Sequence, residues 1–87
     1  MVNYKIEITA TAEKSLKKIP KKDLQKIVEA IQVLAISPFP DGCRKLRGEE
    51  DVYRVRQGNY RIIYEVIDSR LIVLVLKIGH RKDIYKK

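Results

Sequence analysis

The sequence has few of the residues from which disulfides and metal sites are built. Its 87 residues include one cysteine, one histidine and no tryptophan. The lone Cys43 excludes a disulfide framework within the chain and offers no zinc-ligand spacing, so no chemical role is expected for it. We expect no metal, no cofactor and no small-molecule ligand. A cytoplasmic location is the default for such a chain.

Long apolar runs are absent as well. No segment approaches the ~18 consecutive apolar residues of a membrane-spanning helix, and nothing resembles a secretory signal. A membrane role is therefore not expected. The sequence also has no repeat, no low-complexity segment and no linker. Residues 1–87 are therefore expected to form a single domain.

Positive charge is what the sequence has in excess. There are 19 Lys and Arg against 11 Asp and Glu, which gives a formal net charge of +8. Such an excess favours phosphate backbones, an acidic protein or an anionic membrane surface as the partner. The one acidic cluster, Glu49-Glu50-Asp51, has no histidine beside it and is expected to be a solvated turn rather than a metal site.

The first half of the chain predicts a strand and two helices. Apolar residues alternate with polar ones from Val2 to Ile8, which is typical of a half-buried strand. Thr9 or Thr11 is expected to cap a first helix that ends at Pro20. A second helix is predicted from about Lys22 to Ile36, and the two helices form a helical hairpin. The apolar stripe of the second helix consists of Leu24, Ile27, Val28, Ile31, Leu34 and Ala35.

A β-hairpin is the strongest signal in the second half. Two runs rich in Val, Ile and Tyr flank Gly58-Asn59, and glycine at the first position of a two-residue loop favours a type II′ turn. The turn sets the register. The expected cross-strand pairs are Gln57–Tyr60, Arg56–Arg61, Val55–Ile62, Arg54–Ile63 and Tyr53–Tyr64.

This register gathers arginines on one face of the hairpin. Side chains alternate along a strand, so Arg54, Arg56 and Arg61 share a face. Like charges directly opposite each other destabilise a sheet, and a polyanion held over the face would remove the repulsion. The alternative interpretation is an ordinary solvated surface.

The next apolar run, Leu71–Ile78, contains a single charge at Lys77. If Asp68-Ser69-Arg70 is a three-residue loop, Lys77 lies opposite Arg61 and extends the row of cations. The face turned towards the helices is then predicted to carry Tyr53, Val55, Ile62, Tyr64, Val66, Ile72, Leu74 and Leu76.

The element order is β-α-α-β-β-β-β, with a short strand predicted over Arg44–Arg47. Helices that precede a run of hairpin-linked strands indicate an α+β domain. We expect an N-terminal strand, a helical hairpin and then a mainly antiparallel sheet of three to four strands. The helices cover one face of the sheet, and the arginine face stays open.

Four linked motifs resemble the RelE/ParE superfamily of bacterial and archaeal toxins. They are Lys45-Leu46-Arg47-Gly48, Tyr53-Arg54-Val55-Arg56, Gly58-Asn59-Tyr60-Arg61-Ile62-Ile63-Tyr64 and Ile78-Gly79-His80-Arg81-Lys82-Asp83-Ile84-Tyr85. The last motif looks more like the RelE branch than the gyrase-poisoning ParE branch. The resemblance implies a messenger-RNA endonuclease that works in the ribosomal A site and is neutralised by a cognate antitoxin.

The resemblance also implies roles for individual residues. Arg56 matches a family lysine that helps to remove the proton from the attacking 2′-OH. Arg61 matches an arginine that holds the scissile phosphate, and Arg81 matches one that stabilises charge or protonates the leaving oxygen. Tyr85 matches a tyrosine that stacks on or orients the base. Further RNA contacts are expected from Lys45, Arg47, Arg54 and Lys77.

Two of these positions depart from the family pattern. Arginines replace lysines at Arg54 and Arg56, and a guanidinium with a pKa above 12 is a poor general base. His80 is therefore a second candidate for the general acid or base. The alternative is that His80 has only a structural role. Two other functions stay open: a gyrase inhibitor without nuclease activity, and a protein that binds nucleic acid without chemistry. The presence of Arg61, Arg81 and Tyr85 together favours the ribonuclease.

Overall fold

The computed structural model of the protein describes residues 3–48 and 50–80. Val2, placed in the predicted first strand, lies outside these residues. The elements are β1 (Lys5–Ile8), α1 (Ala10–Lys18), α2 (Lys21–Ile36), β2 (Arg44–Lys45), β3 (Val52–Gln57), β4 (Tyr60–Ile67), a 3-10 turn (Asp68–Arg70) and β5 (Ile72–His80).

The strands form one mixed sheet in the order β1-β5-β4-β3-β2. β1 runs parallel to β5, and every other neighbouring pair is antiparallel. A parallel pair needs a crossover connection, which α1 and α2 supply between β1 and the rest of the sheet. The predicted α+β class is confirmed, with β1 as a fifth strand of the same sheet.

Thr9 fixes the junction between β1 and α1. Its hydroxyl oxygen accepts a hydrogen bond from the Ala12 amide at 3.1 Å, which makes Thr9 rather than Thr11 the cap of α1. The same hydroxyl donates to the Leu76 carbonyl at 2.8 Å. The start of α1 is thereby fastened to β5, beyond the point where β1 stops pairing.

The core lies between the helices and one face of the sheet. Ala12 of α1 and three residues of α2 pack against the buried side chains of β3, β4 and β5. Within the predicted stripe of α2, Val28 is an exception, since it is 38% exposed. The stripe is therefore narrower than predicted, and its fully buried members are Ile27, Ile31 and Leu34.

Tyr64 is the largest fully buried side chain of the core. Its hydroxyl donates a hydrogen bond to the Pro38 carbonyl at 2.7 Å, which ties β4 to the loop after α2. Burial raises the pKa of this hydroxyl. Tyr64 therefore stays protonated at neutral pH and remains a hydrogen-bond donor.

The predicted hairpin is confirmed in full. All of its cross-strand pairs are those expected, including Arg56 opposite Arg61 and Tyr53 opposite Tyr64. Gly58 has a φ of +61°, and Asn59 is not among the residues with positive φ. This combination is that of a type II′ turn, which glycine adopts without a steric penalty.

The β4–β5 connection is longer than predicted. Ile67 pairs with Ile72 rather than Leu71, because the 3-10 turn is followed by Leu71 in the left-handed region with a φ of +55°. A shift of one residue turns every side chain of a strand to the other face. The predicted core residues Ile72, Leu74 and Leu76 are therefore wrong, and β5 instead contributes Val73, Val75 and Ile78 to the core.

An irregularity in the ladder adds a second shift. Tyr64 pairs with Val75 but Ile63 pairs with Lys77, so that Leu76 is the extra residue of a bulge. The prediction that Lys77 lies opposite Arg61 is wrong, since Gly79 takes that position. Because the two shifts add up to two residues, Lys77 still lies on the same face as Arg61.

Candidate nucleic-acid interface

The face of the sheet turned away from the helices carries four of the nine predicted site residues, Arg54, Arg56, Arg61 and Lys77. We call it the open face, and we call its basic side chains the cation row. The register places the row across four adjacent strands. Its members are Arg44 on β2, Arg54 and Arg56 on β3, Arg61 on β4 and Lys77 on β5.

Two pairs in the cation row are directly opposed arginines. Arg56 faces Arg61 across the β3–β4 ladder, and Arg44 faces Arg54 across the β2–β3 ladder. Opposed side chains on a sheet have Cβ atoms roughly 4.5–5.5 Å apart, at which distance like charges destabilise the pairing. The direct opposition of Arg56 and Arg61 is poorly explained by the stability of the fold.

Arg61 is the one buried charged residue of the described chain, at 7% exposure. Its Nε atom is buried and has no hydrogen-bond acceptor among the described residues. Gly79 lies opposite Arg61 on the β5 side, so β5 offers no side chain at that position. A buried N–H group without an acceptor is costly, and an oxyanion bound on the open face would satisfy it.

A small apolar cluster lies on the open face beside the cation row. Val52 and Ile63 are buried on the open face and pack with Leu46 and Leu76. Beside them lies a recess of about 410 Å³ that also reaches Thr9, Thr11 and Lys77. The open face therefore carries an apolar patch as well as basic side chains.

Lys45 and Arg47 are not part of the row. Lys45 pairs with Tyr53 and therefore lies on the face of β2 that is turned towards the helices. Arg47 lies in an exposed turn after β2, which ends at Lys45 and not at Arg47. Arg81 and Tyr85 lie outside the described residues, and the roles assigned to them stay predictions.

His80 lies on the opposite side of the sheet from the arginines. It pairs with Tyr60 at the end of β5, and the two rings meet edge to face with centroids 5.8 Å apart. Tyr60 packs against the helix-side core. The structure therefore does not bring His80 together with Arg56 and Arg61.

Arg44 is the site residue that the sequence did not reveal. It joins the row only because Arg44 pairs with Arg54 in the β2–β3 register. In the turn before β3, Gly48 and Asp51 have φ values of +81° and +59°. No short-range sequence rule fixes the register across such a turn. Its position in the basic run Arg44-Lys45-Leu46-Arg47 was the available signal.

Other kinds of site find no support in the described part of the chain. No group of three His, Cys, Asp or Glu side chains there is arranged to hold a metal ion. No helix there is long and apolar enough to cross a membrane.

Comparison with known proteins shows what the chain is similar to. Residues 6–85 match the family described as ParE toxin of the type II toxin–antitoxin system parDE. Toxin RelG of Mycobacterium tuberculosis is 33% identical over 85 residues, covering 97% of this chain and 98% of RelG. The mRNA interferase toxin RelE of Escherichia coli is 34% identical over 64 residues, covering 71% of this chain and 59% of that toxin.

A solved structure agrees with these matches. The archaeal RelE–RelB complex from Pyrococcus horikoshii contains a chain that superposes with a TM-score of 0.82 at 30% identity, covering 94% of this chain and 99% of that chain. The similarity therefore extends over nearly the whole chain.

Proposed function

We propose a function that follows from the family to which the chain belongs. This is the ParE toxin family of type II toxin–antitoxin systems and, within the RelE/ParE superfamily, the RelE-like branch. We propose that the protein is an endoribonuclease that cleaves messenger RNA on the ribosome. The 2′-OH of a nucleotide attacks the adjacent phosphate and loses its proton, the bond from phosphorus to the 5′-oxygen breaks, and the leaving oxygen takes up a proton. The products are a 2′,3′-cyclic phosphate and a 5′-OH, and no metal or cofactor takes part. The result is inhibition of translation and growth.

The cation row is the observation that supports this chemistry. Attack of the 2′-OH builds negative charge on the phosphoryl oxygens, and fixed cations stabilise that charge. An arginine fork can pair with two phosphate oxygens at once. The buried Nε of Arg61 has no acceptor among the described residues, which supports a phosphate position beside it, with Arg56 on the opposite strand.

The row offers charge stabilisation rather than proton transfer. Arg56 cannot readily lose a proton, and His80 lies on the other side of the sheet. The 2′-OH proton then goes to a group outside the described residues, from the ribosome or from solvent. Substrate positioning and electrostatic stabilisation supply the protein's share of the rate.

This arrangement predicts a small effect for His80→Gln. Removal of a general base typically costs roughly 10²–10⁴-fold in rate, and we expect the single-turnover cleavage rate on saturating programmed ribosomes to fall by far less. The measurement is the rate of the variant and of the unaltered chain between pH 5.5 and 8. A loss within the general-base range, together with a change in the pH dependence of the rate, would assign the proton transfer to His80.

A cognate antitoxin is the proposed protein partner, as in the RelE–RelB complex. The cation row is a strongly basic surface, so we propose that an acidic antitoxin segment covers it. Exposed ion pairs are screened by salt. Calorimetric titration with the antitoxin should therefore show weaker binding as sodium chloride is raised.

A matched pair of variants tests where the salt-sensitive contacts lie. Arg56→Gln removes one charge from the row, whereas Arg70→Gln removes one from the exposed 3-10 turn at the other end of β4. We expect Arg56→Gln alone to reduce the salt dependence. Equal effects of the two substitutions, or no salt dependence at all, would contradict neutralisation at the cation row.

The proposed function itself is tested by mapping cleavage of an end-labelled message with and without ribosomes. We expect cuts within the A-site codon of programmed ribosomes and little cleavage of the free message. The gyrase inhibitor is the alternative outcome. No cleavage, together with gyrase trapped on DNA, would replace the ribonuclease proposal.

A further inference from the structure

A second recess lies at the edge of the sheet, between α1 and the end of β5. It has a volume of about 430 Å³ and is bounded by one side of α1 and by the last residues of β5. β1 pairs with β5 only over Ile72–Val75, so no described strand covers the edge of β5 beyond that point. α1 stands there instead, and the recess is the gap between them.

The wall formed by α1 is polar and basic. Thr11, Ser15 and Lys18 line the recess from successive turns of the helix. The Ser15 hydroxyl donates to the Thr11 carbonyl at 3.2 Å, which leaves its oxygen free to accept from a ligand. No Asp or Glu is among the described residues that line the recess. The wall therefore suits an anionic ligand with hydrogen-bond donors.

The floor of the recess is aromatic. Tyr60 and His80 both line it, and their rings stand at 78° to each other. Rings in this arrangement cannot stack on one another, so a planar ligand can lie against the face of one of them. Unpaired bases of RNA are bound in this way by Tyr and His side chains.

Lys77 connects the recess with the cation row. It lines both recesses and lies on the open face opposite Ile63, next in register to the Arg61–Gly79 pair. A single strand that crosses the row at Arg61 would pass Lys77 at the rim. The next nucleotide then lies beside α1.

We propose that this recess binds one nucleotide of the substrate RNA that flanks the cleaved phosphate, and this rests on the proposed function. The base lies against the face of the His80 ring, beside Tyr60, and its phosphate is held between Lys18 and Lys77. The volume is within the range of ordinary small-ligand pockets. The recess gives the toxin a contact to the base next to the cut, and hence a source of sequence preference.

His80 is the only histidine of the chain, so its ring protons give an isolated NMR signal. We expect titration with adenosine 5′-monophosphate to move this signal upfield, because the base lies over the ring, whereas inorganic phosphate does not. Lys18→Ala should weaken the response several-fold. Lys17→Ala is the control, since Lys17 lies on α1 but does not line the recess.

Binding of a short single-stranded RNA, followed by fluorescence anisotropy, gives a second readout. Loss of one phosphate contact reduces the slope of log affinity against log salt by about one. We expect that reduction for Lys18→Ala, no reduction for Lys17→Ala, and recovery in Lys18→Arg. Equal effects of the two alanine variants, or equal His80 shifts with phosphate and nucleotide, would overturn the proposal.

Neither readout depends on ribosomes or on cleavage, so the two proposals fail separately. A Lys18-dependent nucleotide shift in a chain that cleaves no message would keep the recess and reject the ribonuclease. Cleavage on ribosomes without any Lys18-dependent binding would keep the ribonuclease and reject the recess.

Discussion

Replacement of Arg61 by alanine is expected to lower single-turnover cleavage of ribosome-bound message by roughly 10²–10³-fold, the usual cost of removing one fixed donor to a developing oxyanion. Arg61 is the buried member of the cation row, and burial strengthens its interaction with a bound phosphate. The rate is measured by quenched flow at saturating ribosome, so that the loss reports the chemical step and not binding.

Arg70→Ala is the control for loss of an arginine as such. Arg70 is exposed in the 3-10 turn and has no place on the open face. We expect its cleavage rate to be unchanged and growth inhibition to persist. Full activity in a folded Arg61→Ala variant would remove Arg61 from the mechanism.

The second large effect is on stability and has the opposite sign. Arg61→Met is expected to raise the free energy of unfolding by about 1–3 kcal/mol, the cost of leaving a buried polar group without a partner. Methionine follows the arginine side chain as far as the Nε position, ends there in a methyl group, and can pack against the neighbouring apolar cluster. Urea denaturation followed by circular dichroism measures the change.

Arg56→Met separates the two possible sources of that gain. Arg56 is exposed and lies opposite Arg61, so its removal relieves the repulsion of the pair but leaves the Nε of Arg61 buried. If only Arg61→Met raises the free energy of unfolding, the destabilisation comes from the buried Nε of Arg61 and not from repulsion between the two arginines. Loss of stability in Arg61→Met would mean that Arg61 serves the fold, and the functional reading of the row would weaken.

Local rules were sufficient for the hairpin but not for the strand that follows it. Gly58-Asn59 fixes the turn type, and the turn fixes every pair of the β3–β4 ladder. The β4–β5 connection contains no comparable signal. A leucine in the left-handed region is uncommon for a bulky side chain, and the bulge at Leu76 depends on packing around Ile63.

The candidate site was predicted in part for the same reason. Arg54, Arg56 and Arg61 could be placed on one face because they belong to the hairpin. Lys77 was predicted on the correct face only because two unpredicted shifts of one residue, from the longer loop and from the bulge, cancelled each other. Arg44 was not predicted to join the row, because the register of β2 depends on its irregular connection to β3. The RNA contact assigned to Lys45 stays a prediction. The sequence did not show that His80 and the arginines lie on opposite faces of the sheet.

The central claim is that the cation row stabilises attack by a 2′-OH. The most direct test is a message with a single 2′-deoxy nucleotide at the mapped cut, compared on programmed ribosomes with the unmodified message. We expect the unmodified message to yield a 2′,3′-cyclic phosphate and a 5′-OH, and the deoxy message to stay intact at that position. Cleavage of the deoxy message at the same phosphate would contradict the account.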